Sequence, residues 1–438
     1  MEHKPASVPQ AQQAGDILSR WRWVKPCAWT IRMLETLEQR GLGEKWFRLF
    51  DKVFAERNLW AAFQQVAEND GAPGVDHVTV TDWERQLPEA IWELSDRLRA
   101  GTYQPSEIKR VQIPKPGSNE TRPLGIPTVR DRIVQAAVVN VIAPIFERDF
   151  AEHSYGFRPG RGCQDALRRV DQLVKQGHHY VVDADLKGYF DTIPHDRLMT
   201  RLQEKIADGS VLSLIESFLK VKILDGLSQW TPETGAPQGA VLSPLLSNIY
   251  LDPLDHQMAA AGYEMVRYAD DFVILCRTAE AAAQALEQVQ LWVTANELVL
   301  HPAKTKIVDV REAGFDFLGY HFQDRRHWPR QKSTQKLKAT LRQKTPRNSG
   351  QSLKCILVKL NQTLVGWFGY FKHSRPAIFR RIDGWLRDRL RSILRRRHRK
   401  RGRARNPDRR TWGNRFFAEQ GLYSLQQAHA TLLQSSRR

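Results

Sequence analysis

Short apolar runs alternate with longer helical patterns through the middle of the chain. Three runs of strand length occupy residues 180–184, 264–268 and 272–276, and each lies next to an acidic residue. The last two runs flank Ala269-Asp270-Asp271, which predicts a hairpin. Helical spacing of hydrophobic residues separates these strands at residues 163–176, 244–260 and 278–296. Helices combined with a largely antiparallel sheet predict an α+β fold.

The N-terminal part predicts helices followed by a hairpin. Residues 1–45 begin as a polar stretch and become rich in tryptophan, so we expect a partly ordered N-terminal extension. Hydrophobic spacing predicts helical structure over residues 46–68 and another helix over residues 82–100. Between residues 103 and 127, apolar positions surround a polar turn and predict a hairpin with a basic residue at each flank.

The pattern changes near residue 333. Apolar residues keep a helical period over residues 353–371 and again over residues 378–393. An arginine-rich run, residues 395–410, follows as the one compositionally biased segment. We therefore place a separate helical domain after residue 332.

Size and charge restrict the classes of function. The 438 residues, 41% of them hydrophobic, are enough for two or three domains, so disorder throughout is excluded. The 67 basic residues outnumber the 48 acidic ones and give a formal net charge of +19. This charge indicates a polyanionic partner, either nucleic acid or a membrane surface. The four cysteines lack the paired spacing of zinc or disulfide sites.

The sequence also predicts the location of the protein. No apolar run reaches the roughly 18 residues of a spanning helix, and the N-terminus lacks the apolar segment of a signal peptide. We expect a soluble protein of the cytoplasm that has no membrane partner.

Acidic residues at the ends of the predicted strands indicate a metal site. The strand at residues 180–182 leads into Asp183-Ala184-Asp185, whose two carboxylates lie on one face, and Asp270-Asp271 occupies the predicted turn. A carboxylate at a sheet edge is costly unless it is paired or metal-bound. Two Mg²⁺ ions roughly 3.5–4 Å apart would suit phosphoryl transfer. Taken singly, each acidic group is more typical of a solvated turn or an ordinary strand end than of a metal site.

Ordered motifs support this chemistry. They are NDGAPGVD at 69–76, RPLGIP at 122–127, YGFRPG at 155–160, DADLKGYFD at 183–191, TGAPQGAVLSP at 234–244 and YADD at 268–271. Together they resemble the motifs of the reverse transcriptases and maturases encoded within bacterial group II introns, over about residues 47–425.

The resemblance implies a right-hand polymerase fold. Fingers and palm, with an antiparallel palm sheet plus helices, would occupy residues 46–332. An α-helical thumb and maturase domain with a basic C-terminal segment would occupy residues 333–438, which leave no room for an endonuclease domain.

The same resemblance implies roles for individual residues. Asp185, Asp270 and Asp271 would bind two Mg²⁺ ions, for which Mn²⁺ can substitute, to activate the primer 3′-hydroxyl and stabilise the departing pyrophosphate. Phe190, five residues after Asp185, matches the aromatic gate that excludes a ribose 2′-hydroxyl, with core packing as the alternative. Gln238 would contact the nucleotide sugar or the template base pair.

Basic residues would bind the phosphates. Lys115 and Arg122, at the flanks of the hairpin, would hold the triphosphate, and Arg158 is a further candidate, although such residues are often simply solvated. Lys304 matches a lysine that protonates pyrophosphate. Nucleic-acid phosphates are expected to contact Arg395, Arg396, Arg397, Arg399, Lys400 and Arg401.

The leading hypothesis is an RNA-directed DNA polymerase. It would use template RNA, primer DNA and deoxynucleoside triphosphates, and would bind group II intron RNA as a ribonucleoprotein to assist splicing and mobility. One alternative is a host-adopted reverse transcriptase that acts in defence or DNA repair. Another is a maturase that acts only as an RNA-binding module, although its typical signature, loss of a catalytic carboxylate, is not found here. On DNA the protein would associate with the nucleoid.

Overall fold

The computed structural model describes residues 16–41, 43–114, 121–399 and 405–435. Contacts between residues divide the chain into two compact units. The first unit comprises residues 1–166 and 182–307, and the second comprises residues 167–181 and 308–438.

Helices make up most of the regular structure. Before residue 308 they are α1 (Ile31–Gln39), α2 (Phe50–Val53), α3 (Glu56–Asn69), α4 (Val80–Glu84), α5 (Glu89–Arg99), α6 (Val129–Glu147), α7 (Cys163–Lys175), α8 (Tyr189–Thr192), α9 (His195–Gln203), α10 (Gly209–Leu219), α11 (Ser243–Ala260) and α12 (Ala279–Ala295). After residue 308 they are α13 (Gln331–Gln343), α14 (Leu353–Phe371), α15 (Pro376–Arg397), α16 (Asn406–Thr411), α17 (Asn414–Glu419) and α18 (Leu425–Ser435). No described helix combines the length and apolar character that a membrane crossing requires.

The strands form three sheets. In chain order they are β1 (Ile108–Pro114), β2 (Thr121–Ile126), β3 (Tyr180–Asp185), β4 (Ile223–Asp225), β5 (Ser228–Trp230), β6 (Glu264–Tyr268), β7 (Asp271–Cys276), β8 (Lys306–Asp309), β9 (Phe315–Phe317), β10 (Tyr320–Gln323) and β11 (Arg326–Pro329). Their orders within the sheets are β2-β1-β4-β5, β6-β7-β3-β8 and β11-β10-β9. The predicted α+β class is confirmed.

The first sheet contains the hairpin predicted from the sequence. Strands β1 and β2 pair antiparallel, with Ile113 opposite Arg122. The other edge of β1 pairs in parallel with β4, where Ile108 lies opposite Ile223. This parallel pairing joins segments far apart in the chain, and local hydrophobic patterns carry no signal for it.

The second sheet contains the three strands predicted next to acidic residues. Strands β6 and β7 form the expected antiparallel hairpin. In the sheet, β3 lies beside β7. The ends of β3 and of the β6–β7 hairpin carry Asp185 and Asp270-Asp271, so the fold places the predicted acidic residues on neighbouring strands.

Helix α6 is buried almost all round and forms the centre of the first unit. Such a helix lacks the one-sided pattern that periodicity detects, and the sequence analysis did not identify it. Its polar side chains fix neighbouring loops, since Gln135 Oε1 accepts hydrogen bonds from the amides of Val241 (2.8 Å) and Leu242 (3.4 Å). The loop that precedes α11 is thereby attached to the core.

The prediction of one continuous helix over residues 82–100 is wrong. The structure has two helices there, α4 and α5, with Pro88 at the N-cap of α5. Proline has no backbone N–H and therefore cannot continue a helix without losing a hydrogen bond. In α4, Thr79 and Asp82 form a capping box that fixes the start of the helix.

The second unit has its own hydrophobic core. The helices predicted after residue 353 are present as α14 and α15, and Leu360, Leu364 and Leu386 are buried between them. The small sheet packs against α14, because the Tyr320 hydroxyl donates to the carbonyl of Tyr370 (2.7 Å).

Candidate active site

Asp270 lies in a two-residue turn between β6 and β7. Tyr268 pairs with Asp271, which leaves Ala269 and Asp270 in the turn. Ala269 has a φ of 60°, a left-handed conformation that is costly for a residue with a Cβ. Contacts around the turn must therefore stabilise it. Asp271 is the first residue of β7, so only one of the two aspartates lies in the turn itself.

Asp185 is the last residue of β3. The amide of His301 donates to the Asp185 carbonyl (2.7 Å), and Leu186 forms a bridge with Leu300. These backbone contacts fix the point where the strand ends. They leave the Asp185 carboxylate available for chemistry.

Electrostatics link Asp185 to Asp270. Burial raises the pKa of the Asp270 carboxyl, and the negative charge of Asp185 raises it further, whereas the positive charges of Arg122 and Arg267 lower it. The Lys304 ammonium lies 2.5 Å from Asp185 Oδ2 and compensates part of the negative charge. The carboxylates therefore lie in a region that favours additional positive charge.

The donor set suits a hard divalent cation. Carboxylate oxygens are the ligands that Mg²⁺ prefers. Burial and the charge of Asp185 both raise the pKa of Asp270, and a bound cation would offset both effects. Within the described ranges, no three His, Cys, Asp or Glu side chains are already grouped as a metal site. In this structure the Asp185 carboxylate forms an ion pair with the Lys304 ammonium. The residues fit Mg²⁺ by charge and by donor type.

A buried arginine holds the turn that carries Asp270. The Arg267 side chain is fully buried in β6, and its Nε lies 2.8 and 2.9 Å from the two carboxylate oxygens of Asp255. Its Nη1 donates to Asn248 Oδ1 and to the carbonyl of Ala269, both at 2.9 Å. Burial lowers the pKa of Arg267, but the charge and hydrogen bonds of Asp255 outweigh that effect and raise it overall. The guanidinium thus attaches the turn to α11.

A glycine packs against the other side of the same turn. A Cβ at Gly156 would lie 2.2 Å from the Ala269 amide nitrogen and 2.9 Å from the Tyr268 carbonyl carbon. The Asn248 amide donates to the Gly156 carbonyl (2.8 Å), and the Tyr155 amide donates to the Arg267 carbonyl (2.9 Å). Only a residue without a side chain allows this approach.

Phe190 lines a cavity of about 460 Å³. The ring is 5% exposed and packs edge-on against Tyr189, with 5.5 Å between ring centroids. The Tyr189 hydroxyl in turn donates to the Ser247 carbonyl (2.7 Å). Phe190 is therefore both a packed residue and part of a cavity wall, so both interpretations of its sequence position are compatible with the structure.

The structure brings Arg122 and Gln238 together. Arg122 Nε donates to Gln238 Oε1 at 2.6 Å, and the Gly125 amide donates to the Gln238 carbonyl at 2.6 Å. A Cβ at Gly239 would lie 2.5 Å from the Gly125 carbonyl oxygen, and its φ of 106° favours glycine. The loop at residues 234–239 is thus joined to β2. Two residues predicted to bind the nucleotide become neighbours although more than a hundred positions separate them.

Arg158 has a different environment from the one expected. Its Nε and Nη2 bind Glu147, at 2.8–3.1 Å, and its Nη1 donates to the carbonyls of Ala151 (2.6 Å) and Ser154 (2.9 Å). The residue is 6% exposed. Because its guanidinium donors are engaged within the protein, the structure gives Arg158 a structural role, and we do not include it among the triphosphate ligands proposed below.

The other basic residues that were predicted to bind phosphate differ in their burial and in their partners. Lys115, Lys400 and Arg401 lie outside the described residues. Arg395 forms a mostly buried ion pair with Asp408 at 2.9 Å, which contradicts a freely exposed phosphate contact. Arg396, Arg397 and Arg399 are exposed, and Arg397 also donates to the carbonyl of Gln351.

The residues that position the turn were not predicted from the sequence. Arg267 and Gly156 lie within or beside quoted motifs, but Asp255 and Asn248 lie in α11. The available signals were a charged residue inside an apolar strand and polar residues within a predominantly apolar helix. Those signals indicate burial with a partner, but they do not identify which partner.

Two family models match the chain. A model described as reverse transcriptase (RNA-dependent DNA polymerase) matches residues 113–322. A second, described as the maturase-specific domain of group II introns, matches residues 334–412. The first match includes all the residues that form the site described above.

Relatives with similar sequences agree with these models. Protein YkfC of Escherichia coli (strain K12) is 35% identical over 328 residues, which cover 66% of this chain and 84% of that protein. Group II intron-encoded protein LtrA of Lactococcus lactis subsp. cremoris is 35% identical over 234 residues, which cover 53% of this chain and 38% of that protein. The match thus spans less than half of LtrA.

A solved structure titled partial Cas6-RT-Cas1–Cas2 complex is 27% identical, with a TM-score of 0.37 over 56% of this chain and 42% of that one. The two family models and the two sequence relatives establish that the chain belongs to the group II intron-type reverse transcriptases, RNA-directed DNA polymerases in which a maturase domain follows the polymerase domain.

Proposed function

We propose that this chain extends a DNA primer on an RNA template with deoxynucleoside triphosphates. It also binds group II intron RNA as a ribonucleoprotein and assists splicing and mobility. The observation that carries the polymerase proposal is the placement of Asp185 and Asp270 on neighbouring elements, close enough for the charge of one to raise the pKa of the other. Arg122 and Gln238 lie beside them as a hydrogen-bonded pair.

The domain organisation and location belong to the same proposal. Fingers and palm would occupy residues 46–332, and the thumb and maturase domain would occupy residues 333–438. The proposed substrates place the protein in the cytoplasm and, when it is bound to DNA, on the nucleoid. The excess of basic residues supports contact with polyanions.

Divalent metal dependence is general in reverse transcriptases, and Asp185, Asp270 and Asp271 are the residues that would hold two Mg²⁺ ions here. When bound, Mg²⁺ supplies positive charge that offsets the charge developing on the triphosphate and lowers the pKa of the primer hydroxyl. The protein itself positions the carboxylates that would bind the ions. Arg267 and Gly156 fix the backbone that carries Asp270, and β3 fixes Asp185.

Cationic side chains act on the phosphates. Arg122 is exposed at the end of β2, and its charge reaches Asp270, so it is placed to bind a triphosphate next to the carboxylates. Lys304, with a side chain 60% exposed, exchanges its contact with Asp185 for the leaving pyrophosphate and donates a proton to it. Lys115 remains a proposed triphosphate ligand on sequence grounds.

Phe190 selects the sugar. Its backbone carbonyl accepts a hydrogen bond from the Ala236 amide (2.7 Å), and its ring packs on Tyr189, so the ring cannot easily move aside. A ribose 2′-hydroxyl at this wall would collide with the ring. The proposed preference for deoxynucleotides follows from that rigidity.

Replacement of Asp270 by asparagine tests the catalytic assignment. Asp270→Asn keeps the size of the side chain but removes its charge, so primer extension on an RNA template with Mg²⁺ should fall by about 100-fold or more. The matched control is Asp196→Asn, an exposed aspartate in α9, which should extend the primer at the normal rate. Extension by Asp270→Asn at the rate of the control would refute the proposed site.

Truncation of Phe190 tests sugar selection. Phe190→Ala removes the wall that excludes the 2′-hydroxyl, so the ratio of kcat/KM for deoxynucleotides over ribonucleotides should fall by about tenfold or more. Phe190→Tyr retains the ring and should keep the discrimination. An Ala variant with an unchanged ratio would mean that Phe190 serves only in packing.

Addition of a methyl group at Gly156 tests the support of the turn. The Cβ of Gly156→Ala would overlap the backbone at Ala269 and displace Asp270, so kcat should fall by about 100-fold while the protein stays folded. The control is Gly209→Ala, since no atom lies within 4 Å of a Cβ there. Circular dichroism and kcat are measured for both variants, and normal turnover by Gly156→Ala contradicts the positioning role.

Charge neutralisation at the end of α15 and just after it tests nucleic-acid binding. Two exposed arginines, Arg396 and Arg399, are changed to glutamine, which should weaken binding of group II intron RNA and reduce the slope of log K against log salt by about 1.4–1.8. Arg415→Gln, at a side chain that is 92% exposed, is the control for loss of one surface charge. An unchanged slope excludes phosphate contacts at these positions. Wild-type protein that binds unrelated RNA equally tightly at raised salt would exclude recognition of the intron.

A further inference from the structure

One wall of the cavity beside Phe190 has no role in the chemistry proposed above. Phe190 and Gln238 belong to the lining of the 460 Å³ space. The same lining includes a wall formed by Arg110 of β1, by Trp230 of β5 and by the loop that follows Trp230. Asp185, Asp270 and Arg122 do not line this cavity.

Strand pairing places Arg110 and Trp230 on one face. Ile223 lies opposite both Ile108 in β1 and Trp230 in β5. Arg110 is two residues after Ile108 and therefore points to the same side of the sheet. The guanidinium carbon of Arg110 lies 5.2 Å from the centroid of the Trp230 ring, which is a cation–π contact. This pair exists only because of the parallel β1–β4 pairing.

The pair is partly open to solvent. Trp230 is 37% exposed, although a tryptophan gains stability from burial. Arg110 forms no ion pair with any residue in the described ranges. Burial raises the pKa of the Asp191 carboxyl overall, and the positive charge of nearby Arg110 lowers it in part. An exposed aromatic ring beside a cation is typical of surfaces that bind single-stranded nucleic acid.

The chemistry of the cavity favours a base over a phosphate in its interior. Asp191 and Glu233 line the space, and their charges would repel a phosphate placed between them. A planar uncharged ring can enter, stack on Trp230 and leave its phosphate at the mouth, near Arg110. The volume lies within the range of pockets that hold small organic ligands.

We propose that Trp230 and Arg110 bind the unpaired RNA template nucleotide that comes next after the templating base. Its base stacks on Trp230 and its phosphate contacts Arg110. The inference rests on the proposed polymerase function, because Phe190 and Gln238, which line the same cavity, mark the proposed position of the nascent base pair. The role of Trp230 is to position the template ahead of synthesis.

A binding experiment separates this inference from catalysis. Asp270→Asn protein, which should bind without extending, is mixed with a primer on an RNA template, and dissociation constants are measured with and without Trp230→Ala. One template ends at the templating base and the other continues for several nucleotides, with the fluorescent base 2-aminopurine at the next position. The longer template should bind about tenfold more tightly, and stacking on Trp230 should quench the probe.

Variants in β1 and in the β4–β5 hairpin test whether the Trp230 ring causes the tighter binding of the longer template. Trp230→Ala should remove both the tenfold advantage of the longer template and the quenching, and Trp230→Phe should keep most of the advantage. Arg110→Gln should weaken binding of the longer template only. Leu227→Ala, at the fully exposed tip between β4 and β5, is the matched control and should behave as the parent does.

The outcomes distinguish failure of the template role from failure of the polymerase proposal. Equal weakening of both templates by Trp230→Ala, or no change with either, overturns the template role. A raised KM for the deoxynucleotide on both templates, measured with the native Asp270, assigns the wall to the incoming nucleotide and also overturns it. Wild-type protein that fails to extend the shorter template refutes the polymerase proposal instead, because that template does not reach Trp230.

Discussion

The candidate active site depends on one buried ion pair, between Arg267 of β6 and Asp255 of α11. The arginine is fully buried, and its donors reach the carboxylate, the Asn248 side chain and the carbonyl of Ala269. Removal of one partner of such a pair typically costs about 3–5 kcal/mol, because the other charge stays buried without compensation. That constraint allows Ala269 to adopt a left-handed conformation and holds Asp270 in a fixed position. The Asp270 carboxylate is therefore positioned by residues outside the set proposed to bind the metal ions.

Close backbone approach is the second constraint on the site. Gly156 lies against the turn, and Gly239 lies against Gly125 in β2, each at a distance that excludes a side chain. The second contact joins the loop of Gln238 to the strand of Arg122, and their side chains complete the connection. Glycine in these motifs serves packing between backbones, so that polar side chains on two separate segments meet within hydrogen-bonding distance. The result is a rigid wall beside the carboxylates.

The basic side chains fall into two groups, because some form ion pairs within the protein and others remain exposed. Arg158 and Arg395 are used within the protein, in ion pairs with Glu147 and Asp408. Arg122 and Lys304 remain exposed beside the acidic residues. Net charge alone does not separate these groups, because a guanidinium serves equally well as a buried hydrogen-bond donor and as a ligand for phosphate. Local burial decides between the two.

The sequence by itself determined the strands next to acidic residues, the hairpin at residues 103–127, the helical C-terminal region and the family, because these follow from local periodicity and contiguous motifs. The aspartates that we propose as catalytic follow from the same motifs. Tertiary structure decided which charged residues are partners. The Arg267–Asp255 pair, the internal use of Arg158 and the parallel β1–β4 pairing that joins Arg110 to Trp230 all link distant segments. Local patterns record that a residue is apolar or charged, whereas its partner is fixed only when the whole chain packs.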